Sequence, residues 1–236
     1  MTDLEQEILS RGNWWVVIHP HEYEQQKLPI EDLEPILRRA RVQLRGWDFP
    51  HIGDKDPIRT RLRSITGSTD WRYYREVWRF YQSGQFSYLL AIHEDWIEKA
   101  REDPYGPVWG PPEHLIPSGP LLGVGDTINR LTEIFEFASR LAVTPAGGET
   151  MHLSIAIRGL EKRLLWVDSP GRYPMQNEYR ADIGQYPFQG DVPTSELNAR
   201  ARELAADLAK DVFARFGWHP PLEMLKKQQA ELRTTA

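Results

Sequence analysis

Cysteine is absent from all 236 residues. That one absence removes disulfides, iron–sulfur clusters, thiolate zinc sites and cysteine nucleophiles together, so any metal has to sit on His, Asp or Glu. Long apolar runs are missing too. Nothing approaches the ~18 uninterrupted apolar residues of a membrane span, and the acidic stretch Met1 to Ser10 carries no apolar signal core. No membrane contact and a cytoplasmic location are therefore expected. Lysine is scarce, 7 against 22 arginines, a bias that suits planar, bidentate recognition of phosphate or carboxylate and also arises from GC-rich coding. Catalytic signatures are lacking as well: there is no Gly-x-Ser-x-Gly, phosphate-binding loop, dinucleotide fingerprint or kinase set. No cofactor is expected, and enzyme activity is not the first expectation.

What is present is ordinary for a globular chain, 40% hydrophobic and 27% charged. With 34 acidic and 29 basic residues the net charge is -5, which argues against a nucleic-acid coat over the whole surface but leaves room for a local basic patch. The nine tryptophans divide by position. Trp71 and Trp78 fall in an arginine-rich hairpin region, whereas Trp14, Trp15 and Trp166 read as core strand.

Hydrophobic periodicity predicts three main helices, over Asp32–Arg45, Asp126–Ala142 and Thr194–Phe216. Gly46 is the expected stop of the first, Asp126 the expected cap of the second, and Gly217 with Pro220-Pro221 the stop of the third. A short helix over Leu222–Leu232 has few apolar positions and is expected to fray. Between the helices, Trp14–Ile18 reads as a buried strand. Tyr73–His93 reads as a hairpin; a two-residue Ser83-Gly84 loop would pair Tyr81 with Phe86, Arg79 with Tyr88 and Val77 with Leu90, leaving both faces largely apolar near the turn. A second hairpin joins the alternating run Leu153–Ile157 to Leu164–Val167. This order predicts an α+β fold, a largely antiparallel sheet with three main helices packed on it, in a single domain over 1–236. A pseudo-repeat or a joint near 102–125 is the alternative. That stretch holds six prolines, and Ser169–Pro193 is the other loop-rich segment.

Three clusters carry candidate chemistry. His19 and His21 flank a proline after the first strand, and in extended backbone both rings point to one side, as a metal requires. No third ligand accompanies them, so a polar strand end is the competing reading. Asp48, Asp54 and Asp56 surround His51, a group that could hold a divalent ion or form a solvated turn; His93-Glu94-Asp95 reads as a strand exit and cap. The third cluster is basic. Across 32–80 there are eleven Lys/Arg against seven Asp/Glu, with Arg38, Arg39, Arg41 and Arg45 on the first helix and Arg59, Arg61 and Arg63 alternating along a strand. With Trp71, Tyr73 and Tyr74 nearby these could grip phosphates and stack a base. The candidate binding residues are Arg59, Arg61, Arg63, Trp71, Arg75, Arg79 and Tyr81; the candidate metal residues are His19 and His21.

The segments Tyr81-Gln82-Ser83-Gly84-Gln85-Phe86, His93-Glu94-Asp95-Trp96 and Leu131-Thr132-Glu133-Ile134-Phe135-Glu136-Phe137-Ala138 together resemble a region of bacterial DNA-binding regulators of the AlbA/Schlafen-like class. The likeness covers 71–142, where that region accompanies the named domain. It implies a bacterial accessory or sensing module linked to regulation or defence, and it transfers no functional residue. The leading expectation is a non-enzymatic binding module contacting a partner protein, a nucleotide or nucleic acid through the arginine and aromatic hairpin surface. The competing readings are a metal-dependent hydrolase or nuclease using His19, His21 and the Asp48–Asp56 loop, and a structural subunit of an oligomer.

Overall fold

Trp14, Val16 and Ile18 alternate with less apolar neighbours, and a strand that buries one row completely belongs in the middle of a sheet. The computed structural model, which describes residues 1–53, 57–71, 74–97, 117, 119–168 and 175–232, places it there. In chain order the elements are α1 (Asp3–Leu9), β1 (Asn13–Pro20), α2 (Leu33–Ala40), β2 (Val42–Gln43), β3 (Asp48–Phe49), β4 (Arg59–Arg61), β5 (Ser64–Trp71), β6 (Tyr74–Tyr81), β7 (Phe86–Ala91), β8 (Leu121–Gly123), α3 (Val124–Ala142), β9 (Thr150–Arg158), β10 (Leu164–Trp166), β11 (Gln185–Pro193), α4 (Thr194–Ala214) and α5 (Leu222–Glu231). Seven strands form one antiparallel sheet in the order β11-β9-β1-β7-β6-β5-β4. The fold is α+β, with five α-helices among the described residues. None of these helices is long and apolar enough to cross a membrane.

One face of the sheet carries the core. Met151, Leu153, Ile155 and Ile157 of β9, Trp78 and Phe80 of β6, and Phe86, Tyr88 and Leu90 of β7 all point into it. The apolar stripe of α3, including Leu131, Phe135, Ala138 and Leu141, lies against them. Small residues on α4, among them Ala201, Ala205 and Ala209, let it pack closely on α3. On the opposite face, among the described residues, α1 and the short turn His93–Trp96 add cover, where Ile8 and Trp96 pack on Val77, Leu89 and Ala91.

Several local expectations are corrected. The first helix stops at Ala40; Arg41 is already extended (φ -54, ψ 149), and Gly46 (φ 83) turns the chain from β2 into β3. Leaving the helix there lets Arg45 reach the carboxylates of α3. Asp126 lies within the first turn of α3, whose N-cap position is Gly123. The β6–β7 loop has three residues, since Gly84 N–H donates to Tyr81 O and Tyr81 N–H to Gln85 O, both at 2.9 Å. Gly84 takes φ 83, the left-handed step that follows a type I turn in such loops. The register shifts by one: Phe80 faces Phe86, Trp78 faces Tyr88 and Arg79 faces Ser87. The large aromatics thereby share the core face, and the other face becomes polar near the turn. β9 pairs with β1 and β11, whereas β10 pairs in parallel with β8. The edge position of β11 accommodates Pro187, which a central strand would not. Instead of fraying, α5 docks through Leu225 and through Gln229, whose amide donates to Thr132 Oγ1 and Arg202 O at 2.9 Å. Most of the 102–125 stretch lies outside the described residues.

Gly67 shows how tightly the core face is filled. A Cβ there would stand 2.3 Å from Trp78 Cζ2, and that indole is buried and tied through Nε1 to His51 O at 3.0 Å. Gly67→Ala is expected to destabilise by about 1–3 kcal/mol, read as a lower urea midpoint with an altered tryptophan near-ultraviolet spectrum. Unchanged stability would show that the indole repacks freely.

Candidate functional site: an open, arginine-bearing sheet face

The face away from the core follows from register. One row of side chains crosses all seven strands: Arg59, Thr66, Arg79, Ser87, Val17, Ser154 and Gln189. Beside it on one flank a second row runs through Arg61, Ser64, Tyr81, His19, His152 and Asp191. Polar side chains dominate these rows, so among the described residues no helix is drawn over them by apolar burial. Along β1 the next residue on this face is Trp15, 37% exposed, with the Arg158 guanidinium 4.8 Å from its ring centroid. Trp15 is therefore corrected from core strand to surface, while Trp14 and Trp166 are buried.

Charge pairing divides the arginines into two groups. Arg38 meets Glu34 and Arg41 meets Asp48, each at 2.8 Å, and Arg45 binds Glu133 and Asp126. Arg75 is buried, pairs with Glu7 and with Asp70 at 2.9 Å, and lies 4.2 Å from the centroid of Trp96, a ring also contacted by Arg11. By contrast Arg59, Arg61 and Arg63 are exposed, Arg79 is half-buried, and among the described residues none of the four meets a carboxylate. Arg59 and Arg61 start about 6.6 Å apart along β4. Two unit charges at that distance repel by about 0.6 kcal/mol in water, a cost the fold tolerates and a bound anion would relieve.

Of the seven binding residues read from sequence, the structure gathers Arg59, Arg61, Arg79 and Tyr81 on this face, with Arg63 in the adjoining β4–β5 turn. It does not bring in Arg75, which is enclosed beneath α1, or Trp71, which is 61% exposed but lies beside Tyr74 on the reverse face. Tyr73 lies outside the described residues. Sequence reading missed Trp15, His152 and Arg158, which join the face only through the β1–β9 pairing.

His19 and His21 find neighbours that spacing could not reveal. The His19 and His152 rings stack at 4.8 Å, and Asp191 accepts from His152 Nδ1 at 2.7 Å and lies 3.4 Å from His21 Nδ1. Those hydrogen bonds hold the Asp191 carboxyl below the usual range. Among the described residues no group of three His, Asp or Glu side chains is arranged to hold a metal ion. Asp48 is occupied by Arg41 and Gln43, while Asp54 and Asp56 lie outside the described residues. A cleft of about 780 Å³ at the far end of β1 and β9 is lined by Arg11, Asn13, Asp95, Arg158 and Arg163, and none of the seven candidate binding residues, nor His19 or His21, lines it.

Beneath the sheet lies a second polar assembly that sequence reading passed over. Glu76, fully buried on β6, accepts from Tyr74 and Tyr88 hydroxyls at 2.7 and 2.6 Å and from His51 N–H at 2.8 Å; burial still pushes its carboxyl up. Arg130 lies 3.2 Å from Glu133 and 3.7 Å from Asp126. At the start of α3, Glu94 accepts Gly123 N–H at 2.6 Å, and Asp168 accepts Gly125 and Asp126 N–H at 2.7 Å. That helix end is thus occupied by the protein's own carboxylates, and burial raises the pKa of both. His93 and Glu94 turn toward this end, while Asp95 turns away to Arg163.

His93 gives the network a measurable signature. Burial would lower its pKa, but Glu94 and Asp126, at 3.4 and 3.5 Å, more than reverse this and push it up to about 9. A folded pKa above the unfolded value of about 6.5 means that the charged imidazole stabilises fully below that pH. Its contribution is lost as the pH rises through about 9. The urea-derived stability difference between the wild type and His93→Gln should accordingly be largest near pH 6 and shrink toward pH 10. A difference independent of pH would contradict this assignment.

Comparison with protein-family models, curated proteins and solved structures finds no match to this chain, and function is read from the residues of the open face themselves.

Proposed function

We propose that this protein is a non-enzymatic binding module whose open sheet face receives an anionic partner. The observation that carries the reading is the segregation of charge. In a protein of net charge -5, Arg38, Arg41, Arg45 and Arg75 of the basic segment are neutralised by carboxylates, whereas among the described residues the arginines on the β4–β6 corner meet none. Interior arginines hold the fold together, so an exposed set without counter-charges is available for phosphate or carboxylate groups. Tyr81 adds an aromatic surface at the same corner. The resemblance of 71–142 to an accessory region of bacterial regulators agrees with a regulatory or defence-related role for such a module.

Heparin, a generic polyanion, tests the reading. The wild type should be retained at low salt and elute with increasing ionic strength. Arg59→Ala/Arg61→Ala should elute earlier, and on nucleic acid its log K against log salt slope should flatten by about 2. Absence of retention, or equal retention of the double variant, would overturn the proposal.

A further inference from the structure

The geometry points to single-stranded nucleic acid as the partner, laid across the strands from the Arg59/Arg61 edge toward the His19–His152 pair; this rests on the anion-binding reading above. Three observations select it. The first is shape. The major groove of a duplex is about 12 Å wide and admits a helix or a two-stranded ribbon, whereas the continuous row from β4 to β11 spans six inter-strand gaps, about 29 Å at ~4.8 Å each. A face that broad can lie against a duplex but cannot reach its base edges. An unpaired strand presents its bases to the sheet directly.

The second is the nature of the exposed side chains. Unpaired bases need flat apolar surfaces, and the face offers them in two columns that cross the strands: Tyr81 on β6 with the stacked His19–His152 pair on β1 and β9, and, beyond Val17 on β1, Trp15. Arg158 over Trp15 adds a guanidinium plane of the kind on which bases also stack. Between these columns Ser87 and Ser154 keep the surface low and polar. An acidic peptide would use the arginines but would leave the aromatic columns without a role.

The third is the distribution of charge along the path. Among the described residues, arginines that meet no carboxylate cluster at the β4–β6 end of the face, while the opposite end carries Asp191 with its histidines. Phosphates are therefore held most strongly at one corner and bases are read farther along. The length is comparable to the ~4–16-nucleotide sites of single-strand-binding folds.

Fluorescence anisotropy with labelled 15-nucleotide strands of mixed sequence, as DNA and as RNA, tests this against 15-base-pair duplexes and heparin. Single strands of at least one type should bind at least tenfold more tightly than duplex. Trp15→Ala and Tyr81→Ala should each weaken single-strand binding by about fivefold to a hundredfold while leaving heparin binding unchanged. Trp15→Phe should restore most of the loss. Arg59→Ala should weaken every polyanion. Heparin binding with no preference for single strands, or single-strand binding indifferent to both aromatic variants, would overturn the inference and leave the anion-binding reading intact. No binding to any polyanion would overturn both. Circular dichroism of each variant separates lost contacts from lost folding.

Discussion

A buried carboxylate in the middle of the sheet sets the conditions for the helix layer. Glu76 has no exposure to water, and a charge in that position is tolerated only if nearby donors replace its hydration. Two tyrosine hydroxyls and the His51 amide supply them, and Arg130 of α3 approaches the same tyrosine that serves Glu76. From Arg130 the network runs through Glu133 and Asp126 to Arg45, the residue that α2 releases by ending early. β6, β7, α3 and the β2–β3 turn are thus held in one relation by groups that cannot be moved singly. An apolar contact can slide by part of a side chain and lose little. A buried ionic hydrogen bond cannot, which favours one placement of α3 over its neighbours.

The same accounting of charge explains the open face. Carboxylates inside the protein draw in Arg45 and Arg130, and those near its surface engage Arg38, Arg41 and Arg75. Among the described residues none pairs with an arginine of β4. The acidic overall balance and a basic corner are compatible because the acids are spent in the interior and on the helices.

How much of this was legible in sequence depends on whether the signal was local. The long helices show in their apolar spacing, because α3 and α4 each bury one stripe, and β1 shows in its β-branched run. Local turn chemistry was harder: Gly84 marked the β6–β7 turn, but a two-residue and a three-residue loop differ by one step of register, and that step exchanges the two faces. Arg59 and Arg61 could be nominated because alternation within one strand puts them together. Trp15 and His152 could not, since they meet the arginines only through pairings across the whole sheet. The interior network was invisible for the same reason. Glu76, Glu94, Asp126 and Asp168 lie on four separate segments; Glu94 and Asp126 read singly as local caps, and nothing near Glu76 or Asp168 in the sequence joins them.

β4 is three residues long and fully exposed, with arginine at both ends, and β11 carries Pro187 and closes on Pro193. A sheet bordered in this way resists extension by another strand, because one margin repels and is short while the other has two of its amide donors replaced by proline. A neighbouring chain seeking to continue the ladder finds little to grasp. Association is thereby steered away from the sheet's margins and onto its broad surface, so the positions that deter aggregation on one side are the same positions that offer charge to an incoming anion.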